Sequence, residues 1–546
     1  MANFLNKTVY QIYVKSFRDS NGDGLGDLGG VIEKLDYLQD LGVDYLWLTP
    51  FFRSPLNDNG YDVADYYAVD PIFGSMADVE TLISEAGKRG MGLMFDMVFN
   101  HTSTEHEWFQ KALAGDPKYQ DYYIFRDGAP DTPPTNWLSK FGGSAWAYVP
   151  HLQKWYLHLY DKTQADLNWD NPAVREELKN VIRFWKGKGV KGFRFDVVNL
   201  ISKPALFEDD DRGDGRRFYT DGPHVHEYLR ELVADTGIGE MPTVGEMSST
   251  SLENCVRYTT DHELSMVFSF HHLKVDYKNG DKWELQPVDL PKLRQLFTDW
   301  QLEMQRAGGC NALFLCNHDQ PRAVSRFGDD KRYRKESAKM LAACTHLMRG
   351  TPYIYQGEEL GITNAGFTEI SQYRDVESLN YYQIMLDSGK TKEEALEILR
   401  QRSRDNGRTP MQWDDGPHAG FSEAEPWIEP PTNYRATNAA AALQDGNSIL
   451  AFYKKLIALR KENRLVSEGK IEFLLRDNDA LIAYRRTLDD KSLTVVNNMT
   501  GETVTLDCAP WPENCVRILG NYPDTLLKDG ALTLRPYETL AYQAES

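Results

Sequence analysis

Acidic and histidine residues recur at the ends of apolar, β-branched runs in this 546-residue chain. Asp96 and His101 follow MGLMF, Arg194 and Asp196 follow VKGF, Glu246 follows PTVG, and His318 and Asp319 follow NALFLCN. Carboxyl groups presented together from the tips of several strands suit glycoside hydrolysis. One serves as nucleophile, one as general acid and base, and others hold sugar hydroxyls and stabilise an oxocarbenium-like transition state. A metal triad is the competing use of these residues. It fits less well, because His101 and His318 lack the short His-x-x-x-His spacing of a zinc site. The run DSNGDGLGDLGG (19–30) is a separate case. Asp19, Asn21, Asp23 and Asp27, with the Leu25 carbonyl, follow the order of oxygen ligands in a calcium loop. Gly30 replaces the bidentate Glu of a sensor, so the metal-binding half matches and the switching half is missing.

The elements that must position these side chains repeat one pattern over the first 360 residues: an apolar run, a polar loop, then a helical period. Strand candidates begin at Thr8, Val43, Met91, Val190, Pro242, Leu264, Asn311 and Pro352. Amphipathic segments lie between them, with Val31, Leu35, Leu38 and Leu41 on one face of the first and Val174, Leu178, Ile182 and Trp185 on one face of the third. Eight such units predict an α/β fold, a (β/α)8 TIM barrel with its chemistry at the C-terminal strand ends. The barrel is expected over 1–101 and 172–466, with a Trp-, Tyr- and Gly-rich inserted domain over 102–171 after strand three. A second insertion, about 371–430, follows strand eight. From 467 to 546, short alternating runs parted by Asn-Asp, Asp-Asp and Thr-Gly turns predict a C-terminal antiparallel β-sandwich domain.

The runs DMVFNH (96–101), QADLNW (164–169), GFRFDVV (192–198), GEMS (245–248) and CNHDQ (316–320) resemble the ordered motifs of the alpha-amylase family of glycoside hydrolases. That resemblance implies a retaining enzyme with Asp196 as nucleophile, Glu246 as acid/base and Asp319 as the transition-state stabiliser. It implies sugar stacking on Tyr61 and hydroxyl binding by Asp62, His101 and His318, with Arg194 keeping the nucleophile ionised. The run SRDNGRTPMQW (403–413) resembles the branch acting on short sugars, in which Arg404 or Arg408 pairs with Asp62 to close the pocket, which implies exo action. Within that branch, FSFHHLKVDYKNGDKW (268–283) resembles enzymes cleaving alpha,alpha-trehalose 6-phosphate, the alternative being an oligo-1,6-glucosidase. Lys274 and Lys282 are the candidate phosphate ligands, as two ammonium groups suit a dianion; His271 and His272 read as packing residues. The 19–30 loop resembles the family's calcium site, so a structural calcium is expected and no organic cofactor.

Composition narrows the partners. A net charge of −20 without a long basic run argues against nucleic acid or an anionic membrane and says little about small ligands. The small phosphorylated disaccharide expected as partner is what the resemblance implies. No apolar run reaches membrane-spanning length, and the N-terminal residues lack a signal-peptide pattern, so a cytoplasmic location is expected. Six cysteines without CxxC pairs fit reduced thiols, with Cys508–Cys515 the one candidate bridge. A non-catalytic member of the fold is disfavoured, since both the nucleophile and the acid are present.

Overall fold

The computed structural model describes residues 4–545, so positions 1–3 of the expected barrel segment and 546 of the C-terminal segment lie outside the described residues. Eight strands form on the predicted runs, the last starting one residue early: β1 Val9–Ile12, β2 Tyr45–Leu48, β3 Gly92–Met97, β4 Gly192–Phe195, β5 Thr243–Met247, β6 Met266–Ser269, β7 Ala312–Leu313 and β8 Thr351–Tyr355. They pair in parallel in the order β6-β5-β4-β3-β2-β1-β8-β7, and a parallel bridge between Val267 and Asn311 joins the two ends into a barrel. Strands covered on both faces are largely apolar, and β4 is buried throughout, Arg194 included. Inside, Trp47, Phe268 and Tyr353 interlock, with ring centroids 5.5 Å and 4.6 Å apart, and form a rigid floor beneath the mouth.

The helices follow their sequence signals. Pro172–Lys188 begins with the Asn171 side chain accepting from the Ala173 amide, carries Pro at its first position and ends at Gly189 with φ 104°. It buries Val174, Leu178, Ile182 and Trp185.

Between β3 and that helix, Phe125–Asp127, Trp146–Val149 and Lys154–Leu157 form a three-stranded antiparallel sheet. Trp137, Trp146 and Trp155 centre a small core that this inserted segment shares with Val197, Leu200 and Tyr219 from the chain after β4. A buried ion pair fastens it to the barrel. Lys203 lies 2.9 Å from Asp166 and donates to the Asn100 side chain at 2.8 Å, while Asn100 donates to Asp166 at 2.9 Å.

After β8, the helices Val376–Asp387, Lys392–Arg402 and Asp405–Arg408 fold back over the mouth. The C-terminal domain stacks a five-stranded antiparallel sheet and a three-stranded one around Leu481, Val496, Leu532 and Leu540. Arg486, fully buried, seams it to the barrel by donating to the Leu347 carbonyl at 2.7 Å and the Gly469 carbonyl at 3.1 Å. All six cysteines are free, Cys508 and Cys515 included. No helix among the described residues is long and apolar enough to cross a membrane.

Lys203→Met leaves the Asp166 carboxylate buried without its cation at the junction of insert and barrel. We expect a loss of about 3–5 kcal/mol in denaturant unfolding. A loss under about 1 kcal/mol would mean that packing alone holds the insert.

Candidate active site

Alternation along β4 puts Arg194 and Asp196 on one face, and the strand register sets Arg194 level with Asp96 on β3 and Val244 on β5. Glu246, two residues beyond Val244, therefore faces the same interior. The buried Arg194 guanidinium reaches all three acids. Nη1 donates to Asp96 and to Asp196, each at 2.6 Å, and Nη2 pairs with Glu246. The second oxygen of Asp96 accepts from Trp47 Nε1 at 3.1 Å and from the Tyr61 hydroxyl at 2.9 Å. Directly after Asp196, Val197 adopts φ 36° and ψ 38°, a left-handed conformation that is strained for a β-branched residue. That turn takes the chain out of the barrel while Asp196 stays at its edge.

Burial, opposed by Arg194 and reinforced by the Asp196 charge, pushes Asp96 up to about 7. Three carboxyls around one permanent cation cannot all ionise cheaply, so the group as a whole keeps a proton near neutrality.

His318 and Asp319 enter from beyond β7. The Gln11 amide donates to His318 Nδ1 at 2.7 Å, which leaves the proton on Nε2, 3.2 Å from an Asp319 oxygen. Burial lowers the His318 pKa and keeps the ring neutral. The ring lies between Tyr61, at 5.1 Å and 3°, and Tyr13, at 6.1 Å and 14°. His101 is buried at the head of the insert, its Nε2 3.0 Å from the Tyr61 carbonyl and its ring against Tyr160. Burial pushes Asp319 up, yet His318, Arg404 and Arg408 together hold it well below the usual carboxylate range.

The expected closure through Asp62 is overturned. Asp62 folds back on its own loop and accepts from Ser54 Oγ at 2.9 Å and from the Asn57 and Asp58 amides at 2.8 and 3.2 Å. Left-handed turns at Asn59 and Gly60 produce this reversal. Burial and the neighbouring Asp58 push the Asp62 carboxyl up to about 6. Asp58 takes the role instead, 3.1 Å from Arg404 Nη2. Arg404 also binds Asp375 at 2.6 Å and lies over the Phe141 ring at 4.8 Å, so it bridges three loops. Arg408 holds Asp319 at 2.7 Å and donates to the His318 carbonyl. Sequence reasoning missed Asp58, Asp375, Trp47 and Gln11; the second carboxylate in NDNGYD was the available signal for Asp58.

The two candidate phosphate ligands differ. Lys282 is neutralised by Glu377 at 2.6 Å and covers the Trp283 ring. Lys274 ends the single turn His271–Lys274 just beyond β6, half-buried and without a carboxylate partner among the described residues. His272 bonds the Phe314 carbonyl and His271 packs on Trp300.

In the 19–30 loop, Asp19, Asn21 and Asp23 each accept the amide two residues on, at 3.0, 3.0 and 2.9 Å. Asp27 caps the helix Leu28–Glu33. Among the described residues no three acidic, His or Cys side chains converge as a metal group. A cation here needs the Asn21 side chain and the Leu25 carbonyl as well. The Asn21 and Asp23 oxygens accept one N–H each and keep a second lone pair, whereas both Asp19 oxygens and Asp27 Oδ1 already accept two donors, so a cation would displace some of these bonds. The donors are the hard oxygens that calcium takes.

Acids joined at the mouth of a (β/α)8 barrel, with a neutral histidine beside them, are the apparatus of a glycoside hydrolase. The alpha amylase catalytic domain family matches residues 11–469, and the alpha-amylase SusG C-terminal domain matches 481–540. The chain belongs to the alpha-amylase family. It is 53% identical to a trehalose-6-phosphate hydrolase of Escherichia coli and 45% identical to an oligo-1,6-glucosidase of Parageobacillus thermoglucosidasius, each over 98% of both chains. The crystal structure of Bacillus licheniformis trehalose-6-phosphate hydrolase, 50% identical, superposes with a TM-score of 0.95 over the whole of both chains.

Asp96→Asn removes one negative charge from the Arg194 group and so makes the remaining acid proton easier to lose. The alkaline limb of the pH profile of kcat/KM is expected to move to lower pH by about one unit. An unmoved limb would separate Asp96 from the acid/base.

Proposed function

We propose that the protein hydrolyses alpha,alpha-trehalose 6-phosphate to glucose and glucose 6-phosphate with retention of configuration. Full-length identity with trehalose-6-phosphate hydrolases supports this. The observation that carries it is Lys274, a half-buried ammonium group at the rim beyond β6 without a carboxylate partner among the described residues. Such a charge is costly unless an anion joins it.

Asp196, paired with Arg194, attacks the anomeric carbon while Glu246 gives its proton to the departing glycosidic oxygen. The products of this step are a glycosyl ester on Asp196 and free glucose 6-phosphate. Glu246 then deprotonates a water that releases glucose. Attachment of Asp196 and Glu246 to the two terminal nitrogens of one guanidinium favours the short carboxyl separation, about 5–5.5 Å, of retaining enzymes. Asp319, held ionised, grips the sugar in its distorted form. Asp58, Arg404 and Phe141 shut the far end of the site, which restricts it to terminal glucose.

Calcium is proposed as a structural ion held by Asp19, Asn21, Asp23, Asp27 and the Leu25 carbonyl. Its chemistry is charge neutralisation in a loop that also secures the second insertion through Ser422, which donates to Asp19 at 2.6 Å. A cytoplasmic site of action is proposed too, in keeping with the charged substrate and the free thiols.

The deciding experiment compares turnover of trehalose 6-phosphate, trehalose and isomaltose. We expect the phosphorylated sugar to be preferred and Lys274→Ala to raise its KM by about 10- to 100-fold; preference for isomaltose would make the protein an oligo-1,6-glucosidase. Chelation should lower the melting temperature while initial rates below it change little. Lost turnover at an unchanged melting temperature would give the ion a catalytic role instead.

A further inference from the structure

Lys140 occupies a position that the sequence did not single out. It stands in the inserted segment, its backbone amide on the Leu159 carbonyl, and its ammonium reaches across the mouth to donate to Ser248 Oγ at 2.9 Å. Ser248 lies two residues past Glu246, so the charge stands close beside the acid/base. The rings of Tyr160 and Tyr219 flank it, each centroid 5.8 Å away. Arg216 comes from the loop after β4, opening the turn Arg216–Tyr219 with a half-exposed side chain.

These two groups and Lys274 are close enough to repel. Burial, then Arg216 and Lys274, bring the Lys140 pKa down to about 7, and burial followed by Arg216 lowers Lys274. Asp214 and Asp166 relieve Lys140 only in part, since Asp214 also pairs with Arg216 and Asp166 with Lys203. Three loops thus bring like charges together beside the acid/base, an arrangement that a dianion would stabilise and a neutral sugar would not.

We propose that Lys140 and Arg216 complete, with Lys274, a three-pronged cradle for the phosphate of the leaving sugar, and that this cradle sets the preference for a phosphorylated over a neutral glucoside. The inference rests on the trehalose 6-phosphate function proposed above and names the residues that enforce it. Arg216 supplies a fork for two phosphate oxygens, and Lys140 keeps the phosphate in register with Glu246 through Ser248.

The test uses full-length protein, with Lys140→Gln, Arg216→Gln and the double variant compared on trehalose 6-phosphate and on p-nitrophenyl alpha-glucoside. Arg216 is half exposed, so its variant folds even if Lys140→Gln does not. Each single variant should lower the ratio of the two kcat/KM values by about 10- to 100-fold. The inhibition constant of glucose 6-phosphate should rise with it, and that of glucose should not. An unchanged ratio, or an equal fall on both substrates, overturns the cradle. If the wild type itself shows no preference for the phosphorylated sugar, the proposed function falls and the cradle with it. If the wild type shows the preference and the double variant keeps it, only the cradle is wrong.

Discussion

One guanidinium inside a barrel organises the chemistry of this protein. Arg194 is buried, and its terminal nitrogens carry Asp96, Asp196 and Glu246. Placing a cation there is costly, by several kcal/mol before its partners are counted. The acids offset that, and they in turn depend on it, since removing the cation would leave like charges facing one another across the barrel. A lysine could supply the charge but not the planar fork that reaches three acids from one stem. The strand register that puts Arg194 level with Asp96, and the aromatic floor of Trp47, Phe268 and Tyr353, hold the fork in place. Division of labour follows from position. The acid most enclosed by donors, Asp96, structures the group, while Asp196 and Glu246 at the rim are free to react.

A second ionic group, built from the opposite end of the chain, closes the site. Arg404 and Arg408 arrive on a short helix after β8 and meet Asp58, Asp319 and Asp375. Because Arg408 holds Asp319 while Arg404 holds Asp58, the insertion fixes both the floor and the far wall of the pocket. Barrel strands thus supply the reacting groups and loops supply the shape, so substrate range can change without disturbing the chemistry.

Much of this was legible in the sequence. Eight apolar runs marked eight strands, because buried parallel strands must be largely apolar. The strand-end polar residues stood out for the same reason: nothing but function explains Arg194 or Glu246 in that setting. Legibility failed where a loop decides direction. Asp58 and Asp62 look equivalent in NDNGYD, and only the left-handed turns at Asn59 and Gly60 send one carboxylate to Arg404 and the other back to Ser54. Partners far apart in the chain were equally hidden. Asp375 and Lys140 belong to insertions whose folding over the mouth no local pattern encodes, and Lys282 gave no sign that Glu377 would neutralise it.

The charge distribution resolves an apparent conflict between an acidic protein and an anionic ligand. A net charge of −20 would repel a phosphate at long range, but screening confines such fields to about 8–10 Å at cellular ionic strength. Within that radius of the mouth the balance is set by a few groups. On the leaving-group side the carboxylates near Lys140 are already paired, so the local field there is positive although the chain as a whole is negative. On the other side, Arg404, Arg408 and Lys282 are outnumbered by Asp58, Asp319, Asp375 and Glu377. A disaccharide phosphorylated on one ring therefore has one orientation that sets its charge against the cations and its neutral ring among the acids. The reverse orientation would bury a dianion beside carboxylates. Under the proposed function, polarity across the mouth selects which glucose reaches Asp196, and exo cleavage of an asymmetric substrate follows from the same charges that hold the site together.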